Sequence, residues 1–266
     1  MLQFYKIQGT GNDFIVTEDR VEAELIPSIC ERNLGVGADG VLVVTQDSNM
    51  QLTMEVHNSD GSRPEMCGNG VRCVAWYGHS LLGMPEDLSV MTDAGERRCR
   101  VYPEERRVAV DMGVVVAVEK PVIWQGTKKM WEIWPVDVGN PHGVVFAEMN
   151  DGELDALGSI LNGHGSPFVQ GVNLERVVVE SESRLRVDVF ERGVGRTLAC
   201  GTGACAAVIA GRAQGHLWDG LVEVVLAGGT LEIAVEDGRV WMTGAVEPVF
   251  QGRMSREWTE NHETRE

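Results

Sequence analysis

The 266-residue chain has no apolar run near 18 residues, so no segment of it reads as membrane-spanning. Its first residues, M-L-Q-F-Y-K-I, alternate like a strand and lack the apolar block of a secretory leader. Basic charge is scarce: 23 Lys and Arg stand against 40 Asp and Glu, a formal net charge of −17. Nucleic acid is therefore not an expected partner, since phosphate backbones attract basic surface. Paired C-x2-C steps are missing as well. Cys67/Cys73 and Cys200/Cys205 are spaced C-x5-C and C-x4-C, which does not make a zinc ribbon, and no metal is expected. With neither leader nor span, the chain is expected in the cytoplasm, where thiols stay reduced. What remains, 43% hydrophobic and 24% charged residues, is a globular composition long enough for two ordinary domains.

What the chain does have is a repeat. Cys67 and Cys200 each open a Cys-Gly-polar-Gly segment, and they lie 133 residues apart, half the chain length. Equivalent elements surround both. Alternating strands flank Gly9-Thr10-Gly11-Asn12 in the first half and Gly139-Asn140-Pro141-His142 in the second. A short helix is predicted next, over Pro27 to Asn33 and over Glu153 to Asn162. Apolar strands follow at 35–44 and 52–58, matched by 171–179 and 185–191, each set ending nine positions before its cysteine. Helices are predicted from Val71 to Leu82 and from Ala204 to Gln214, then hairpins. The expected organisation is an N-terminal half over 1–115, joined by a last strand near 246–253, a C-terminal half over 116–245, and a polar, frayed tail over 254–266. A pseudo-twofold relation between the halves is expected to bring the two helix starts face to face.

A helix N-terminus presents unpaired N–H groups and partial positive charge, so it binds carboxylate and favours thiolate. Glycines on both sides of Asn69 and Thr202 let a ligand approach the backbone closely. Two such cysteines suit inversion of a stereocentre: one thiolate removes an α-proton while the other thiol returns one from the opposite face. The helix amides would hold the carboxylate as it takes on enolate-like charge. On residues alone, this two-base reading stands beside the reading of both cysteines as small buried hydrophobes, which is the expectation for Cys30, Cys73, Cys99 and Cys205.

The ordered motifs G-N-D-F, N-x-D-G-S, C-G-N-G-x-R-C, G-N-P-H, G-V-N, E-R-G and A-C-G-T-G-A-C-A resemble those of the diaminopimelate epimerases, over a stretch from the first strand to at least Ala207. That resemblance implies an α/β (α+β) fold of two pseudo-symmetric domains, each a mixed β-sheet wrapped around a central helix, as in proline racemases. It implies cofactor-independent interconversion of L,L- and meso-diaminopimelate, on the route to lysine and peptidoglycan, by an enzyme that is often a homodimer. Carried over by position, Cys67 and Cys200 are the catalytic pair, and His142 and Glu191 tune the thiols. Gly68, Asn69, Gly201 and Thr202 cradle the reacting carboxylate. Asn12, Asn58, Asn140, Asn173, Glu191 and Arg192 hold the rest of the substrate, Arg192 by a bidentate grip on the distal carboxylate. Gly40 departs from the family, where Gln is frequent, and Arg196 stands where Glu is usual. The rival readings are another cofactor-free amino-acid racemase, and a redox switch built on Cys67 and Cys200.

Overall fold

The computed structural model describes residues 2–117, 120–125 and 129–263. It divides into two compact units, Met1–Val110 with Gly244–Glu266, and Asp111–Thr243. Among the described residues no helix is long and apolar enough to cross a membrane.

Unit 1 starts with β1 (Gln3–Gly9) and β2 (Asn12–Thr17), an antiparallel hairpin in which Gly9 pairs with Asn12 across Thr10 and Gly11. Both turn residues have positive φ, 59° and 78°, the type I′ combination that matches the twist of a hairpin. α1 (Ile26–Cys30) follows, shorter than the predicted helix because Glu31 is already extended. The glycine-rich stretch at 35–38 is not a strand. Its amides bond back to carbonyls of Ile29, Cys30 and Glu31, and the strand β3 begins only at Gly40 (Gly40–Gln46). After β4 (Leu52–Asn58) comes α2 (Gly68–Leu82), then β5 (Asp87–Thr92), β6 (Gly95–Tyr102) and β7 (Arg107–Gly113). β2 and β3 are parallel, as are β4 and β5, and the other neighbours are antiparallel.

Unit 2 repeats that order. β8 (Val116–Ala117) and β9 (Val122–Gln125) flank β10 (Met130–Asp137), which forms a hairpin with β11 (Pro141–Val145). α3 (Asp151–Leu161) precedes β12 (Asn173–Ser181), β13 (Arg184–Glu191) and the short β14 (Gly195–Thr197). α4 (Gly201–Ala213) leads to β15 (Val222–Leu226), β16 (Gly229–Glu236) and β17 (Arg239–Ala245). The parallel pairs are β11 with β12 and β13 with β15, the counterparts of those in unit 1. In unit 1, β18 (Glu247–Arg253) pairs antiparallel with β1, and α5 (Arg256–Glu263) follows. The tail expected to fray is thus structured to residue 263, with Trp258 packed on a core formed by Leu2, Val21, Leu25 and Ile29. Residues 264–266 lie outside the described residues.

Each unit wraps its sheet around one helix. From Gly68 to Gly78 every residue of α2 is buried, and α4 is buried at nine of its 13 positions. α1 and α3 cover the outer face of their own sheets through Ile26 and Ile29 in unit 1, and Leu154, Leu157 and Leu161 in unit 2. α3 starts at Asp151, two residues before the predicted start. Asn150 caps it, with Glu153 bonding back to the Asn150 amide at 2.9 Å. This is a capping box whose N-x-x-E signature is present in the sequence.

Gly40 is fixed by packing. A Cβ built there meets the His57 carbonyl oxygen at 2.4 Å, a contact that neither backbone can relieve. A longer side chain therefore has no room on this backbone. Replacing Gly40 with Ala is expected to cost about 1–3 kcal/mol through overpacking. The melting temperature should fall by about 2–4 °C for each kcal/mol, measured by differential scanning calorimetry.

Candidate active site

Both central helices begin three residues earlier than their sequence pattern predicts, at Gly68 and Gly201, immediately after a cysteine. Glycine is a poor helix former, which hides the first turn from a propensity reading. Cys67 and Cys200 are therefore the N-caps themselves, both extended, with φ of −136° and −122°. In each case the cysteine carbonyl takes the first helical bond, from Val71 at 2.8 Å and from Ala204 at 3.0 Å. The amides of the first turns, Gly68-Asn69-Gly70 and Gly201-Thr202-Gly203, precede the first intrahelical bond and present donors at the helix end.

In unit 1 the Cys67 Sγ lies 3.5 Å from the Gly70 amide and 3.9 Å from Asn12 Oδ1. Asn69, buried on the first turn, donates its amide to the same Asn12 oxygen at 3.3 Å. Asn69 Oδ1 is buried without a hydrogen-bond partner among the described residues. Cys67, Asn69 and Asn12 are thus one cluster. Asn58 belongs to the adjoining turn: it is exposed, pairs with Gly40 across β3 and β4, and donates to Ser62 at 2.9 Å.

In unit 2 a polar chain runs to the second cysteine. Glu175 Oε1 lies 2.7 Å from His142 Nδ1, both side chains fully buried. His142 Nε2 lies 3.0 Å from Asn140 Oδ1. Asn140 donates to Thr202 Oγ1 at 3.5 Å, and that hydroxyl is 3.3 Å from Cys200 Sγ. Glu191 accepts from Thr197 at close range. Asn173 bridges Pro141 and Arg192, donating to the Pro141 carbonyl at 3.3 Å and accepting from the Arg192 amide at 2.9 Å. The Arg192 guanidinium is exposed and donates to the Gln170 carbonyl at 2.6 Å.

Glu175 is the site residue that sequence reasoning missed. On β12, two residues after Asn173, it reads as one charge on an alternating strand. Yet it is fully buried, its Oε2 lacks a partner, and its Oε1 would stand 2.7 Å from a Cβ at Gly203. The glycine of the first helical turn makes room for this carboxyl. Burial raises the Glu175 pKa above the usual carboxylate range, against the pull of His142. Burial likewise raises Glu191, opposed by Thr197 and His142.

The expectation that a helix start lowers the thiol pKa does not hold for Cys200. Burial pushes it well above the usual cysteine range, the carboxylates Glu191 and Glu175 push the same way, and Thr202 and the Gly203 amide oppose them. Arg196 brings no compensating charge to this thiol, because its guanidinium pairs with Asp151 and Asp155 of α3 at 2.5 and 3.2 Å. Cys30 and Cys73 are buried thiols pushed up to about 12.

The fold defines the class first. The solved structure of a probable proline racemase from Agrobacterium radiobacter superposes with a TM-score of 0.75, covering 96% of this chain and 93% of its own. A hydroxyproline epimerase from Agrobacterium vitis gives 0.70 over 95% and 90%. At 14% identity each, these likenesses are of fold, that of the two-unit racemases and epimerases. The family follows from sequence. The diaminopimelate epimerase family model matches residues 4–118 and 135–249. A diaminopimelate epimerase of Carboxydothermus hydrogenoformans is 39% identical, over 94% of this chain and 98% of its own. A chloroplastic one from Oryza sativa subsp. japonica is also 39% identical, over 94% and 79%. The chain belongs to the diaminopimelate epimerase family.

Without substrate, iodoacetamide at about pH 8 should label Cys67 first, since it is the partly exposed thiol of the two helix caps. Cys30 and Cys73 should stay unlabelled until the protein is unfolded. Peptide mass spectrometry over time reads all sites in one experiment, and early labelling of Cys73 would contradict the burial found here.

Proposed function

We propose that this chain interconverts L,L- and meso-diaminopimelate without a cofactor, using Cys67 and Cys200 as a two-base pair. The observation that carries the reading is that each half of a duplicated fold ends a buried helix on a cysteine with polar partners, in a chain of this family. In one direction the Cys200 thiolate takes the α-proton, leaving a carbanion delocalised into the carboxylate. The S–H bond of Cys67 then breaks to place a proton on the opposite face. Cys200 ends as thiol and Cys67 as thiolate, and the reverse direction exchanges the roles.

The surroundings of each sulfur support this assignment. Cys67 faces the oxygen end of Asn12, which accepts from a thiol, whereas Cys200 faces a hydroxyl that can donate to a thiolate. Gly68, Asn69, Gly201 and Thr202 supply first-turn amides for the carboxylate. Asn12, Asn58, Asn140, Asn173, Glu191 and Arg192 take the remaining polar groups of the substrate. His142 and Glu191 set the charge around Cys200, and the ammonium of the substrate offsets the carboxylates that, after burial, push this thiol's pKa up.

The reading extends to a cytoplasmic homodimer. Reduced thiols, on which the mechanism depends, suit a reducing compartment. Val249 and Phe250 on β18 are about half exposed, apolar surface suited to a second copy. Sedimentation at twice the 29.1 kDa chain mass checks the dimer.

The deciding experiment is proton NMR of L,L-diaminopimelate with reduced protein in D2O and no added cofactor. Loss of the α-proton signal with growth of the meso isomer is expected; a folded, reduced protein that exchanges nothing refutes the substrate. Cys67→Ala and Cys200→Ala should each lower kcat by at least about 10³-fold with an unchanged circular dichroism spectrum. Turnover near that of the parent in either variant would end the two-thiol mechanism.

A further inference from the structure

Outside the residues that meet Cys67 directly, unit 1 holds a charged cluster with no role so far. Asp39 lies at the end of the loop that folds back on α1, just before β3. Its backbone is pinned on both sides, donating to the Asp13 carbonyl at 2.8 Å and accepting from Ser59 at 3.0 Å. Its Oδ1 accepts from Arg32 at 2.9 Å, and its Oδ2 accepts from the Asp13 amide at 3.1 Å and from Asn12 Nδ2 at 2.9 Å. Arg32 also grips Asp13 at 2.7 and 3.2 Å, and Lys6 reaches Asp13 at 2.5 Å. Two acids and two bases thus balance one another around the start of β2.

The consequence lies in the orientation of an amide. An Asn side chain has one accepting and one donating end, and the neighbours decide which way it points. The hydrogen bonds to the Asp39 carboxylate from Arg32, Asp13 and Asn12 all come from N–H groups, so the Asn12 end that faces it is the NH2 group. Asn12 Oδ1 is thereby turned to Cys67 and to the Asn69 amide. We propose that Asp39, held by Arg32, is a positioning residue that fixes the Asn12 amide with its oxygen toward Cys67 and so favours the protonated form of that thiol. Asp39 acts only through Asn12. The inference rests on the two-thiol reading above for its place in the reaction, and on the hydrogen bonds of unit 1 for its geometry.

The test is a double-mutant cycle of Asp39→Ala and Asn12→Ala with two readouts. The first is the iodoacetamide rate at each cysteine, by peptide mass spectrometry. Freed from Asp39, Asn12 no longer holds a carbonyl against the sulfur. Cys67 should therefore label about threefold faster or more in D39A, equally fast in N12A, and no faster in the double variant. Cys200 should be unchanged throughout. The second readout is kcat/KM for diaminopimelate, expected to fall about tenfold in D39A relative to the parent, but less than about twofold when D39A is added to N12A. Unchanged Cys67 labelling, additive effects of the two substitutions, or parallel acceleration at Cys200 would each overturn the proposal. If D39A does not fold, Asp39→Leu, which keeps the bulk of the side chain and removes both acceptors, serves in the same cycle with the same expected sign. A parent protein that turns over no diaminopimelate refutes the proposed function, while the labelling cycle still decides the role of Asp39.

Discussion

A helix that begins in the interior of a domain must find partners there for four N–H groups that have none within the helix. That constraint governs both units of this protein. α2 is buried from its first residue, and α4 nearly so, each ringed by the strands of its own sheet. A Ser, Thr, Asp or Asn cap would satisfy one amide well. Cysteine satisfies it poorly, and the 3.5 Å contact from Gly70 to the Cys67 sulfur is a weak bond. The helix end is thus left short of acceptors and short of bulk, with glycine at two of the first three positions. These are the requirements of a site that binds a carboxylate. In the proposed reaction the substrate carboxylate supplies the acceptor that the cap lacks.

The two cysteine caps are similar in backbone and opposite in surroundings. An Asn from the preceding hairpin stands beside each helix start, Asn12 in unit 1 and Asn140 in unit 2. Asp39 takes the NH2 end of Asn12, so the oxygen faces the helix. His142 takes the oxygen end of Asn140, so the NH2 faces Thr202. One amide therefore presents an acceptor and the other a donor to equivalent places. Fold duplication supplies the common scaffold, and a single reversed amide makes the two thiols chemically unequal. In the proposed reaction this inequality gives the proton donor an acceptor beside it and the proton acceptor a donor.

How much of this is legible in the sequence follows from how local each signal is. The repeat, the two hairpin turns and the helices after each cysteine are encoded by residues close to one another, and these are read without tertiary knowledge. The capping box at Asn150 is equally local and was missed only by placing the start of α3 at Glu153. The loop at 35–39 resembles a strand by its apolar content, but its amides are used by α1, a long-range fact. Glu175 and Asp39 have no local signature. Each is an ordinary acid in an ordinary place along the chain, and each gains its meaning from a partner at least 27 residues away, Asn12 for Asp39 and His142 for Glu175. Arg196 shows the converse. It stands just before the second cysteine motif, yet its charge is turned to α3.

The raised pKa of Cys200 then becomes intelligible as a coupling between binding and ionisation. Desolvation opposes the thiolate, and Glu191 and Glu175 add negative charge to the same buried region. A neutral ligand would leave those terms in place. A substrate carrying an ammonium group supplies charge of the sign that the region lacks, and each pKa unit so recovered corresponds to about 1.4 kcal/mol. In the proposed reaction, burial that disfavours the thiolate in the empty protein also protects this sulfur from oxidation. In the proposed reaction, the same carboxylates that disfavour the thiolate at rest favour a substrate that carries an ammonium group.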